Sequence, residues 1–346
     1  MNAAIALFLM QDGVINGAIY ALLGVTLVLV FTVTRVIFVP QGEFVAWGAL
    51  TLAAFEAGTT PGTAWLLLAL GVVTAIADVL RGEIARTPQA LLRAGLRDVV
   101  LPALLVGLAV WIAPQKPPLW IAGLLTLALI VPMGPLVYRL AFAPMADASV
   151  LALFIAAIGV HFTLTGLGLV FFGAEGFRTT PFIAGVFPIG PLPFKGQSLV
   201  VLAVTAILLV GLWLFFERTL LGKALRATAV NRLGARLVGI PTLLTGRIAF
   251  ALASAIGALS GMLVGSLTTI AYDSGFLIGL KGFVAAIAAG LASYPLTVAA
   301  AIAVGILESF SAFFASAFKE VIVFALIIPL LVWRSLAARH TDEEEE

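Results

Sequence analysis

The chain has 346 residues, of which 62% are hydrophobic and only 10% charged, with a formal net charge of +2 and a mean hydropathy of +1.18. A soluble domain carries about 25% charged residues because its surface faces water, so most of this surface faces an apolar medium. The pI near 9.1 then reflects basic loops rather than a nucleic-acid partner. Cysteine is absent, which excludes a disulfide framework, thiol chemistry and sulfur-ligated metal.

About 20 apolar residues cross a bilayer as a helix. Runs of this kind fall at about 12–34, 42–58, 63–80, 98–113, 119–141, 150–172, 198–216, 245–268, 276–292, 296–316 and 320–337. They are apolar on all sides and lack the two-residue alternation of barrel strands, so each backbone satisfies itself within a helix. The expected fold is all-α, a polytopic transmembrane bundle of about 10–11 segments forming a single domain. The shortest runs, 42–58 and 98–113, are compatible with re-entrant or partly broken helices. Met1-Asn2-Ala3-Ala4 carries no basic stretch, which argues against a cleaved signal peptide.

The orientation follows from Lys and Arg in the loops. Arg35, Arg81, Arg86, Arg93, Arg97, Arg139, Arg218, Lys223, Arg226, Arg232, Arg236, Arg247, Arg334 and Arg339 fall on one side, and Lys116, Arg178, Lys195 and Lys319 on the other. The basic side is expected to be cytoplasmic, with the N-terminus outside and the C-terminus inside. Residues 173–197, rich in proline and glycine, are expected to be an irregular extracytoplasmic loop. Residues 217–245 read as a basic inner loop, helical from Gly222 to Val238 and stopped by Gly239 and Pro241. Residues 340–346 read as a solvated acidic tail.

Small residues four apart let helices approach closely. Gly13 and Gly17, and Gly257, Gly261 and Gly265, have that spacing and are read as packing positions within the bundle, with a subunit interface as the alternative. Charges at membrane depth are costly and usually face a protein interior or a water-filled path. Glu43, Lys281 and Glu308, with Asn16 and Gln41, are the candidates for a translocation path; Asp273 lies nearer a segment end. Lys281 and Glu308 could equally pair with each other or snorkel. His161 stands alone in its span and is read as a packed, hydrogen-bonded side chain rather than a proton relay; His340 lies far from it in sequence. Pro40-Gln41-Gly42-Glu43 suggests either a broken helix start beside a cavity or an ordinary turn. Gly222-Lys223-Ala224 lacks the glycine spacing and Ser/Thr of a phosphate-binding loop, and no paired-His metal motif or nucleophile elbow is present. An enzyme, or any cofactor held by this chain, is not expected.

Asn16–Leu22, Gln41–Phe44, Val137–Phe142, Gly222–Ala227 continuing to Gly239-Ile240, Lys281–Ala286 and Gly305–Glu308 together resemble the permeases of branched-chain amino acid ABC importers, closer to the first of their two paralogous permeases. The resemblance spans roughly 12–58 and 119–337. It implies an ABC importer permease fold in the bacterial inner membrane, a second permease partner, two cytoplasmic ATPase subunits that hold ATP and Mg, and an extracytoplasmic solute-binding protein. Residues 217–245 would carry the coupling helix, with Gly222, Lys223, Arg226, Arg232, Arg236 and Gly239 as its signature; the alternative is that its basic residues only bind anionic lipid and fix topology. Ile37-Phe38-Val39-Pro40-Gln41 stands where the family usually has Asn-Phe-Ala-His, and residues 63–118 hold about two segments more than its pattern. A stand-alone ion-coupled transporter using Glu43, Glu308 or His161 is the competing reading.

Overall fold

The computed structural model describes residues 3–82, 87–189, 192–326, 328–329 and 332. Arg86, Arg334, Arg339, His340 and the acidic tail lie outside the described residues, as does most of the final expected segment beyond 326.

The helices are α1 (Ala3–Thr34), α2 (Gln41–Ala57), α3 (Gly62–Leu80), α4 (Pro88–Gln115), α5 (Leu119–Met145), α6 (Val150–Phe172), α7 (Gly196–Arg218), α8 (Leu220–Val230), α9 (Arg232–Leu237), α10 (Thr242–Val264), α11 (Ser274–Ala288), α12 (Tyr294–Phe314) and α13 (Lys319–Ala325). Each expected segment corresponds to one of them. Among the described residues, eight are long and apolar enough to cross a membrane. α2 and α11 are shorter. α2 carries Gln41, Glu43 and Glu56, yet fourteen of its seventeen residues are buried. Protein rather than lipid surrounds it, which is why so polar a helix sits inside the bundle.

The glycine stripes explain how α2 is held. A Cβ at Gly257 would come 2.8 Å from Phe44 Cβ, one at Gly265 3.1 Å from Ala49 Cβ, and one at Gly261 has no room at all against the Val45 carbonyl. α10 therefore lies with its backbone directly on α2. Gly13 and Gly17 do the same for α1 against α12, where a Cβ would meet Ile306 Cα at 2.5 Å and Ile302 Cα at 2.7 Å. Both stripes pack within the chain. Their contacts are van der Waals contacts of the kind that drive helix association in lipid, where no hydrophobic force is available.

Four sequence expectations need correction. Residues 98–113 are not a short segment: α4 runs unbroken for 28 residues, with a π-helical turn at Leu96–Val100. Residues 173–197 are not wholly irregular. They hold an antiparallel hairpin, β1 (Val186–Ile189) and β2 (Leu192–Lys195), with Pro188 opposite Pro193. The loop is fastened to the bundle: Arg178 donates to the Ser266 and Leu267 carbonyls, and Gln197 bridges Phe182 N–H and the Leu263 carbonyl, each bond 3.0–3.2 Å. The inner loop is not one helix but two, broken at Asn231, whose side chain accepts from Gly234 N–H (2.8 Å) and so caps α9. Finally, Arg139 is not in a loop but inside α5, only 4% exposed.

Candidate functional site

Two helices reach the carboxylate of Glu308 in α12, and a third joins through Lys281. Lys281 of α11 places Nζ 2.5 Å from Glu308 Oε1 and 3.2 Å from Oε1 of Glu320 in α13. Tyr20 of α1 donates its hydroxyl to Glu308 Oε2 at 2.5 Å, and the ammonium of Lys281 lies 5.7 Å from the Tyr20 ring centre. The next residue of α12, Ser309, donates to Asp12 (3.4 Å). An isolated charge at this depth costs several kcal/mol, so the cluster exists because each member neutralises or hydrogen-bonds another.

Apart from Ser309, these residues line a cavity of about 790 Å³ at the hairpin end of the bundle. Asn16, Lys195 and Lys319 add polar groups to it, and Ile15, Ile19, Leu267, Leu277 and Ile278 add aliphatic walls. Ammonium and carboxylate groups against aliphatic surface suit a small zwitterion with an apolar side chain: each charged end can replace one arm of an existing pair. The volume is in the range of small-molecule sites.

Of the candidates read from sequence, the structure brings Asn16, Lys281 and Glu308 into this cavity. Tyr20, Asp12 and Glu320 were not anticipated. A signal was available, because Asp12, Asn16 and Tyr20 recur every four residues along one face of α1.

Gln41 and Glu43 are elsewhere. Gln41 donates to the Ala253 carbonyl (3.1 Å) and is buried. Glu43 is fully enclosed, with its Oε1 2.9 Å from His161 Nδ1. That approach is off the line of a directed hydrogen bond, and neither carboxylate oxygen has another protein partner. His161 is thus not alone. Its ring lies 4.7 Å from that of Phe276 and borders a second, mostly apolar cavity of about 460 Å³. The hairpin-side cavity uses Ser274, Leu277, Ile278 and Lys281 of α11, the second uses Phe276, Gly279, Leu280 and Phe283. One short helix divides the two.

A second ionic centre joins α3, α4 and α5. Arg139 reaches Asp98 with both guanidinium nitrogens (2.7 and 2.9 Å) and also binds Asp78, while Arg97 holds the outer side of Asp98. The two-nitrogen geometry is the strong form of this pairing. Asp98 and Arg139 each lie in a π-helical turn, Leu96–Val100 and Tyr138–Phe142, and π turns are frequent where a side chain must be re-aimed. This centre fastens α3 and α4 to α5.

At the far end of α7 from the hairpin, Thr219 caps α8 by accepting from Gly222 N–H (2.9 Å), and Gly222 packs so closely on the Phe215 carbonyl that no Cβ fits. Gly239, with φ of 86°, closes α9 in a left-handed conformation. Arg232 donates to the Ala146 carbonyl (2.7 Å), Arg236 to Thr242 (3.0 Å), and Arg226 pairs with Glu217 (2.5 Å). Three of the four basic residues are thus engaged within the chain. Leu233 and Leu237, by contrast, are 69% and 80% exposed on α9, a six-residue helix too short to cross a bilayer.

A family model described as "Branched-chain amino acid transport system / permease component" matches residues 95–331. The high-affinity branched-chain amino acid transport system permease protein BraD of Pseudomonas aeruginosa is 28% identical over 220 residues, 62% of this chain and 72% of that protein. LivH of Escherichia coli, which carries the same description, is 28% identical over 201 residues, 56% of this chain and 65% of that protein. A solved structure of PsaBC from Streptococcus pneumoniae in complex with Fab aligns over 94% of this chain and 90% of that one at 12% identity, with a TM-score of 0.40, too loose to carry any inference. The family match covers well over half the chain, begins within α4 and runs through the inner loop, α11 and α12. The chain belongs to the family of permease components of branched-chain amino acid transport systems.

Proposed function

We propose that this chain is the membrane-crossing subunit of an ATP-driven importer and moves a branched-chain amino acid, or a related small amino acid or amide, by alternating access. ATP and Mg belong to two cytoplasmic ATPase chains, a second permease completes the path, and a solute-binding protein delivers to the hairpin side. The basic inner end faces the cytoplasm, so the N-terminus is outside and the C-terminus inside.

The observation that carries this reading is the α8–α9 unit. Exposed apolar residues outside the bilayer mark a protein contact, and Leu233 and Leu237 project from a helix whose arginines are fastened to the turn before α6 and the start of α10. A push on such a unit passes into the bundle as rigid-body motion. The hairpin-side cavity supports the solute class, since it sets charges of both signs against aliphatic walls.

The test is retention of the co-encoded ATPase. Leu233→Asp with Leu237→Asp is expected to leave insertion and thermal stability unchanged while the ATPase no longer co-purifies. Full retention in that double variant, with uptake intact, contradicts the assignment of α8–α9 as the docking unit.

A further inference from the structure

A third cavity, of about 490 Å³, opens on the flank of the bundle at its inner end. Its walls are Val25 and Leu29 of α1, Leu212 and Phe216 of α7, and Leu225 and Ala229 of α8. Val25 to Thr32 rises about 10 Å along α1, so the slot covers the inner-leaflet part of the hydrocarbon. Trp213 stands at its mouth, 59% exposed, so the slot is open sideways to lipid. Water in an apolar slot at that depth would lack partners.

The inner end of the slot is different. Arg226 borders it and pairs with Glu217 (2.5 Å), while Arg218 and Lys223, on the same stretch of chain, leave the stretch with a surplus of positive charge. Tyr294, stacked on Phe216 with centroids 5.7 Å apart, adds a second side chain with an apolar body and a polar tip. An apolar channel ending in surplus positive charge at the cytoplasmic boundary matches a lipid whose tail is apolar and whose head is anionic.

We infer that this slot is a binding site for one acyl chain of an anionic phospholipid, whose phosphate takes the place of Glu217 on Arg226. The inner wall of the slot is α8 itself, so the lipid touches the helix that the proposed function assigns to the motor contact. The site rests on that reading only for its consequence, a lipid-dependent stiffness of α8, and not for its occupancy.

Trp213 is the natural reporter, because bromine on an acyl chain quenches tryptophan on contact. The full chain is reconstituted with increasing mole fractions of brominated phosphatidylglycerol or brominated phosphatidylcholine, and a Trp213→Phe variant supplies the signal of the other tryptophans for subtraction. Trp213 quenching is expected to half-saturate at a several-fold lower fraction of the anionic lipid. Arg226→Gln is expected to abolish that preference with the slot intact. Ala229→Leu, which fills the slot and keeps the charge, is expected to lower the maximal quenching by either lipid. Equal half-saturation by the two lipids in the unmodified chain overturns the inference, leaving only annular contact, and so does a preference that persists in Arg226→Gln. Neither solute nor ATPase enters the measurement, so its failure would leave the transport reading standing, and the reverse.

Discussion

Lys281 and Glu308 close an ion pair of 2.5 Å between α11 and α12 on the wall of the hairpin-side cavity, and Glu320 lies 3.2 Å from the same ammonium. The cation therefore serves two carboxylates, and the two ends of the pair are not equivalent. Lys281→Gln strands Glu308 and leaves Glu320 only the more distant Lys319 (3.9 Å), and is expected to cost about 3–5 kcal/mol, the range for breaking a buried pair. Glu308→Gln leaves Lys281 with Glu320 and is expected to cost less. The double variant Lys281→Met, Glu308→Leu is expected to recover stability relative to Lys281→Gln and still transport poorly. Thermal unfolding in detergent, alongside uptake, checks the order.

The triad of Asp78, Asp98 and Arg139 makes a second prediction. Arg139→Leu leaves Asp78 without a cation while Asp98 keeps Arg97, and α3 is expected to detach from α5. The chain has no cysteine, so a single Thr74→Cys reporter on the buried face of α3 can be read cleanly. It is expected to resist maleimide in the parent and to label readily with Arg139→Leu added.

Two glycine substitutions provide an internal contrast. Gly261 touches the Val45 carbonyl, whereas nothing lies within 4 Å of a Cβ built on Gly159. Gly261→Ala is expected to force α10 off α2, with loss of about 1–3 kcal/mol as in other overpacked interiors, and lower yield of folded protein. Gly159→Ala is expected to be tolerated. Size-exclusion profiles and thermal midpoints of the two variants decide it.

At the inner face, Arg232 fastens α9 to the turn between α5 and α6 through the Ala146 carbonyl. Arg232→Ala is expected to leave the ATPase bound and hydrolysing while uptake per ATP falls several-fold, because the moving unit no longer grips the bundle. Parallel ATPase and uptake assays on the reconstituted complex separate this loss of grip from a loss of docking.

The bundle itself was legible because each segment is long and apolar and because the basic loops alternate with the segments. Physical closeness across the chain was not. Arg139 lies at the end of an apolar run and reads as a loop charge; only the structure shows Asp78 and Asp98 beside it, 61 and 41 residues away in sequence. A lone aspartate inside the run 63–80 was the hint that it needed a partner. Asn16, Lys281 and Glu308 could be nominated one by one as charged or polar groups at depth, and the structure adds that they share a cavity while Glu43 meets His161 on the other side of α11. The break of the inner loop at Asn231 was also readable, since Asn three residues before Gly234 is a helix-capping residue. The basic pattern running through it read as one helix instead.

Uptake of labelled leucine into proteoliposomes holding this chain, its second permease, the ATPases and the binding protein tests the central claim most directly. Accumulation is predicted only with ATP inside the motor compartment, and none when the Walker lysine of the ATPase is replaced. Accumulation driven by this chain alone, without ATP and collapsed by an ionophore, would contradict the claim and assign the buried carboxylates to ion coupling.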